Sequence, residues 1–294
     1  MVVGLVGCGV WGAHVLRDLR LLGADVHVVA RSSESVARAK AGGARHIADD
    51  VGGLGDVAAV VVVTPIATHA EVVREVLGLG VPVYVEKPLC DDPGAASELH
   101  ALAPDRLFVM DKWRYHPGVL EIARMVRDGS LGHVHGLRTL RVQPGNRHDE
   151  DAVWVLAPHE LAIALEVLGE VPRPRAAAGV WDGDRLVTLH ALLGAKLGWH
   201  ASEVSERASV NERRIELHCE EGVAVLAGGW DEHVLIHRPN GAAPAQTEAR
   251  GELPLLAELR AFLGFVAGGP PPKSSAAEGA AAVGVIAQLR ALAA

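Results

Sequence analysis

The chain is short of aromatic residues, of cysteine and of clustered positive charge, and each shortage removes a class of protein. Aromatics make up 4% of 294 residues, so Val, Leu and Ala must fill the core that a 49% hydrophobic share allows. Three cysteines, Cys8, Cys90 and Cys219, form no CxxC pair and no metal-ligand spacing. So sparse and odd a set points to reduced thiols and a cytoplasmic protein. The net charge is −8 with no basic stretch, which argues against nucleic acid as a main partner. No apolar run approaches the roughly 20 residues that cross a bilayer, so no membrane partner is expected. Met1 leads straight into an apolar run, without the basic leader of a signal peptide. Histidine is plentiful, at fifteen. The pairs His133/His135 and His233/His237 lack a completing carboxylate or cysteine, so they read as surface histidines and no metal is expected.

What is present begins at the first residues. Val2 to Val6 is an apolar run, and Gly7-Cys8-Gly9-Val10-Trp11-Gly12 follows without a gap. A helical pattern then runs to Gly23. Strand, glycine turn and helix open a dinucleotide-binding βαβ unit. Gly7 permits the tight turn, Gly9 lets backbone approach a pyrophosphate, and Gly12 lets helix pack on strand. N–H groups at the helix start then face the phosphates. About twenty residues on, an NAD enzyme places an acid on the ribose 2′-hydroxyl. Here the position holds Ala30, Arg31 and Ser32. A guanidinium pairs with a 2′-phosphate, which favours NADP, with NAD the alternative. In the other readings Arg31 stacks on adenine or is solvated.

Strand and helix patterns then alternate to Met110. Ala58–Val63 is a continuous apolar run, as in a strand covered on both faces, and ends in Thr64-Pro65-Ile66-Ala67-Thr68-His69. Val81–Val85 ends in Glu86-Lys87-Pro88. The expected fold is α/β: a doubly wound parallel sheet over residues 1–117. Residues 118–294 then form an α+β domain with a mainly antiparallel sheet. That half reads as helices at Val119–Arg127 and Pro158–Leu168, strands between Arg175 and Arg238, and a loop at 240–251. Helices at Leu255–Val266 and Ala276–Ala293 close the chain. Ligands bind at the C-terminal ends of parallel strands, where the glycine turn, Arg31, Thr64-Pro65 and Glu86-Lys87 all fall.

These stretches resemble the glucose–fructose oxidoreductase / inositol dehydrogenase (Gfo/Idh/MocA) family. The glycine turn, Thr64-Pro65 through His69, and Glu86-Lys87-Pro88 carry the resemblance, with Leu255-Leu256-Ala257-Glu258-Leu259 in the tail. It implies a Rossmann domain plus an open-faced antiparallel sheet. It also implies NAD(P)-dependent hydride transfer to or from a sugar-type hydroxyl or ketone carbon, nucleotide-linked sugars included. Gly7 to Gly12, Arg31, Ser32, Thr64, Pro65, His69, Glu86 and Lys87 would then contact the cofactor. The Lys87–Pro88 bond is expected to be cis.

Lys87 stands on its own chemistry as well. Hydride reaching a carbonyl carbon leaves charge on oxygen, and a nearby ammonium can stabilise or protonate it. The alternative is a solvated strand-end lysine. His159 is the second acid/base candidate; the bland alternative is a helix N-terminal histidine bonding backbone. The family usually carries an Asp one helical turn earlier, where this chain has Val155, so Lys87 and His159 remain as the pair. Ala-Pro-His followed by an acid is similar to nucleotide-sugar 3-dehydrogenases and ketosugar reductases. Arg114, Tyr115, His116 and Trp154 are substrate-side candidates, with a packed hinge and a core tryptophan as the alternatives. Asn146, Arg147 and His148 fall on a loop facing the same cleft in the family's layout. An exposed sheet face suggests a homodimer or homotetramer. Two other functions stay open: a redox-assisted glycosidase with bound NAD, and a non-catalytic NADP-binding sensor or scaffold.

Overall fold

The computed structural model describes residues 1–145, 150–239 and 241–294. The chain forms two compact units: Met1–Lys112 with Leu253–Val283, and Trp113–Glu252 with Gly284–Ala294.

The first unit carries six strands: β1 (Val2–Val6), β2 (Asp25–Val29), β3 (His46–Ala48), β4 (Ala59–Val62), β5 (Val83–Glu86) and β6 (Leu107–Met110). All pair in parallel, in the order β3-β2-β1-β4-β5-β6. Helices α1 (Val10–Leu21), α2 (Ser33–Ala41), α3 (His69–Leu77) and α4 (Pro93–Leu102) make crossovers between strands. Strand order reverses direction between β1 and β4, the topological switch at which such sheets take ligands. The central strands β1 and β4 are Val-rich and almost wholly buried, as expected where helices cover both faces. Local chemistry sets the helix starts. The Ser32 hydroxyl accepts from Ser35 N, and Asp92 accepts from Ala95 N with Pro93 at the first helical position.

The second unit carries α5 (Pro117–Asp128), β7 (Val134–Pro144) and α6 (Ala152–Leu168). Strands β8 (Arg173–Asp182), β9 (Arg185–Ala195), β10 (Gly198–Ser205), β11 (Arg207–Cys219), β12 (Gly222–Leu226), β13 (His233–His237) and β14 (Ala245–Glu248) follow. These strands form one sheet in the order β14-β13-β12-β11-β7-β10-β9-β8. Every pairing is antiparallel except β7 with β10. Val119 and Ile122 of α5 and Ile163 and Val167 of α6 share a core with Leu137, Ile215 and Leu217 of the sheet. The opposite face is polar around Glu216, which pairs with both Arg138 and Arg214.

Two departures from the sequence reading stand out. The stretch expected to be a loop at 240–251 contains β14, which adds an edge strand against β13. The boundary expected at 117 also differs from the units observed. The tail helix α7 (Pro254–Val266) returns to the first unit, because Leu255, Leu259, Phe262 and Leu263 bury with Val15 and Leu19 of α1. Phe262 also stacks on Tyr84 of β5 at 4.7 Å. Helix α8 (Ala276–Leu292) belongs to the first unit up to Val283 and to the second from Gly284.

Candidate active site

The glycine turn is built as its spacing requires. Gly7 has φ +98°, and a Cβ there would lie 2.4 Å from Val63 O. A Cβ on Gly12 would lie 2.4 Å from Gly7 O, so helix and turn touch backbone to backbone. Gly9 is different. A Cβ there would meet nothing within 4 Å. It also caps α1 without a side-chain hydrogen bond. Open space beside a bare helix N-terminus is the cradle a pyrophosphate needs, so these residues fit a dinucleotide. Cys8 turns its thiol into the core, where burial pushes its pKa up, so it offers the loop only backbone. Val10 is exposed. Trp11 is half-buried, with the Lys112 ammonium 4.1 Å above its ring.

At the end of β2, Arg31 is exposed and its Nε donates to Asp49 O at 3.0 Å. Ser32 is spent capping α2.

The next two strand ends are tied together. Thr68 Oγ1 donates to Thr64 Oγ1 at 2.9 Å, and Pro65 is exposed. His69 was expected against the cofactor; instead its ring is buried, with Nε2 2.8 Å from Thr64 O and Nδ1 2.8 Å from Pro88 O. Its ring thus sits between the loop after β4 and the loop after β5, and in the neutral form that burial favours one ring N–H donates to one of the two carbonyls. Burial pulls its pKa below the ordinary value. Glu86 ends β5, and its Oε2 accepts from Lys87 N at 2.7 Å. Lys87 follows, half-buried, and the Lys87–Pro88 bond is cis.

Beneath this turn lies a residue the sequence reading did not single out. Glu258 of α7 is fully buried, 3.5 Å from Tyr84 Oη. Burial first, then the Glu86 carboxylate, pushes its carboxyl well above the usual range. Its signal was available: it is the sole acid of α7, flanked by Leu255, Leu256, Ala257 and Leu259.

In the second unit the helix expected from Pro158 begins at Ala152, six residues earlier, with Pro158 inside it. A proline within a helix removes one donor, which α6 tolerates amid its extensive burial. His159 therefore lies inside the helix and not at its N-terminus. Trp154, Val155 and His159 are the partly exposed residues of the first half of α6. Val155 and His159 share a face at i, i+4. Glu160, the next residue, is buried and accepts from Arg141 Nε at 2.5 Å. Arg141 also lies over the Trp113 ring, 4.5 Å from its centre.

Two substrate-side candidates are given other tasks. Arg114 pairs with Glu166 of α6 at 3.2 Å, with 12% and 9% of the side chains exposed. His116 is buried: Nδ1 accepts from Gly118 N at 3.1 Å, so Nε2 carries the hydrogen and donates to Gly229 O at 2.8 Å. It caps α5 and latches the Gly228-Gly229 turn. Tyr115 is half-buried. Asn146, Arg147 and His148 lie outside the described residues.

Residues 1–108 match the Gfo/Idh/MocA model, described as an oxidoreductase family with an NAD-binding Rossmann fold. Inositol 2-dehydrogenase 1 of Saccharopolyspora erythraea is 34% identical over 239 residues, 76% of this chain and 65% of that protein. Residues 1–108 thus carry the NAD-binding Rossmann domain of the Gfo/Idh/MocA oxidoreductase family, and the chain as a whole is similar to dehydrogenases of that family. UDP-N-acetylglucosamine 3-dehydrogenase of Acidithiobacillus ferrooxidans is 27% identical over 235 residues, 74% of this chain and 73% of that protein. Its structure superposes with a TM-score of 0.86 at 22% identity, over 99% of this chain and 97% of that one. A levoglucosan dehydrogenase bound to NADH and levoglucosan superposes with a TM-score of 0.87 at 17% identity, over 100% and 97% of the two chains. The two-sheet architecture is thus that of the family, and the first unit is its nicotinamide-dinucleotide module. Among the described residues, no helix is long and apolar enough to cross a membrane.

Proposed function

We propose that this protein is a Gfo/Idh/MocA dehydrogenase or ketoreductase of sugar-type substrates, with NADP as its preferred cofactor. The observation that carries the reading is Lys87. It follows the last residue of β5, on the same C-terminal edge of the sheet as the Gly7–Gly12 turn after β1, with only β4 between the two strands. Names of the relatives support the substrate class: each printed substrate is a polyol, a sugar or a nucleotide-linked sugar.

Bound nicotinamide supplies hydride exchange with the substrate carbon. The chain supplies the rest. Gly9 and the first turn of α1 hold the pyrophosphate, Arg31 meets the 2′-phosphate, and Thr64, Pro65 and Glu86 border the dinucleotide. Lys87 donates a hydrogen bond to the reacting oxygen and gives or takes its proton. His159 is the second acid/base group, in a family position where Val155 replaces the usual acid. Tyr115 and Trp154 are the remaining substrate-side residues. A homodimer or homotetramer formed through the second sheet is supported by exposed Val180, Leu192 and Val210 on β8, β9 and β11. Three buried free thiols support a cytoplasmic setting.

The test is Lys87→Met assayed by NADPH absorbance over a panel of ketosugars and polyols. Turnover is expected to fall by about 10²–10⁴-fold while NADPH fluorescence still reports binding. Unchanged turnover in that variant overturns the mechanism. Product formation without net NADPH change overturns the dehydrogenase reading in favour of redox-assisted hydrolysis.

A further inference from the structure

Strands β7 and β11 place Arg141 directly opposite Arg213. Like charges facing each other across an antiparallel pair repel. Both side chains lie on the face of the sheet that α6 covers: Arg141 reaches Glu160, and Arg213 alternates with buried Ile215 and Leu217. The single carboxylate there is already committed to Arg141. Arg213 makes no hydrogen bond and no ion pair among the described residues, although it is half-buried. Burial and the facing Arg141 charge hold its pKa below the usual value, the mark of a cation short of a counter-charge.

The surroundings are prepared and rigid. Trp113, Arg141, Glu160, Arg213, Gly228 and Gly229 line one recess. Gly229 presents bare backbone to the Arg213 guanidinium and the Trp113 ring. Its carbonyl is pinned by His116, whose ring stacks on Trp113 at 4.8 Å. The recess itself is too narrow for a water molecule, and Arg213 remains partly exposed to solvent. Five N–H donors in a planar fork suit a carboxylate or a phosphate. Glu160 offsets this only in part, so a half-buried cation opposite a second cation, sharing one carboxylate, carries a cost that a ligand anion would offset.

We propose that Arg213 is a specificity residue that binds an anionic group, a carboxylate or a phosphate, on the substrate. This rests on the sugar-dehydrogenase reading for the identity of the ligand, but not for the existence of the site. Calorimetric titration separates the two. Wild-type protein is titrated with D-glucuronate, D-glucose 1-phosphate and neutral D-glucose at constant ionic strength. At least one anionic sugar is expected to bind about tenfold or more tightly than glucose. Whichever does identifies carboxylate or phosphate as the group recognised. That advantage should vanish in Arg213→Gln and persist in part in Arg213→Lys, whereas binding of glucose should change little. Arg213→Gln should also melt at or above the wild-type temperature, because it removes the repulsion with Arg141. Equal affinity for all three sugars, anion binding untouched in Arg213→Gln, or a lowered melting temperature in that variant each overturns the proposal. If anions bind through Arg213 but no sugar is turned over with either nicotinamide cofactor, the dehydrogenase reading fails and the anion site stands.

Discussion

Arg141 and Glu160 form an ion pair with 5% and 2% of their side chains exposed. Such a pair adds little net stability over a well-packed apolar one, but removing one partner strands a buried charge. Glu160→Gln leaves Arg141 facing Arg213 with no acid between them. Its unfolding free energy in urea should fall by about 3–5 kcal/mol. Adding Arg213→Gln should recover part of that loss, because one of the two facing cations is gone. A double variant no more stable than Glu160→Gln alone would show that the two arginines do not interact.

Two glycines of one turn should respond to alanine in opposite ways. Gly12→Ala drives a Cβ to 2.4 Å from Gly7 O, so it should lower the melting temperature. Gly9→Ala meets no atom within 4 Å, and its φ of −69° suits any residue, so stability should hold. The methyl would instead stand where the pyrophosphate approaches. NADPH affinity measured by fluorescence should drop in Gly9→Ala with melting unchanged. Wild-type affinity in that variant would remove the pyrophosphate from this turn.

Cofactor choice turns on Arg31. Its Nε is held by Asp49 O, which orients a guanidinium at the end of β2. A charge-assisted bond is worth about 1.5–3 kcal/mol, so Arg31→Ala should raise KM for NADP roughly 10- to 150-fold and leave KM for NAD nearly unchanged. A wild-type preference for NAD, or equal losses for both cofactors, would refute the 2′-phosphate assignment.

The local half of this architecture was legible and the long-range half was not. Gly7, Gly9 and Gly12 act through backbone within one turn, and Val-rich β1 and β4 declare their burial on both faces, so residue order alone exposes them. The family resemblance points His69 to the cofactor and His116 and Arg114 to the substrate, with a packed hinge as the alternative for the latter two. Their partners, Pro88, Gly229 and Glu166, lie 19, 113 and 52 residues away, and spacing carries no trace of them. The start of α6 was misplaced because Pro158 reads as a helix opening, whereas tertiary burial carries the helix through it. Arg213 escaped notice because nothing local marks a cation whose register partner is another cation.

Stability should depend on pH through His200. It is fully buried on β10, with Nε2 3.0 Å from Thr139 Oγ1, and burial pushes its pKa down from 6.5 to about 3. Between those values the unfolded chain binds a proton that the folded chain refuses, so stability is retained above the unfolded pKa and lost as pH falls towards 3. From pH 7 to pH 4.5 this one group should cost about 2–3 kcal/mol. Glu258 acts in the opposite sense: its raised carboxyl favours folding at low pH and loses that contribution as pH rises. The wild-type slope therefore mixes both groups, and a variant is needed to isolate His200. His200→Phe keeps the buried ring while Thr139 Oγ1 retains its contact with Ser202 at 3.3 Å. Urea unfolding at the two pH values should show the variant losing about 2–3 kcal/mol less than wild type on acidification. Equal losses in both proteins would mean that His200 takes up its proton in the folded state as readily as in the unfolded one.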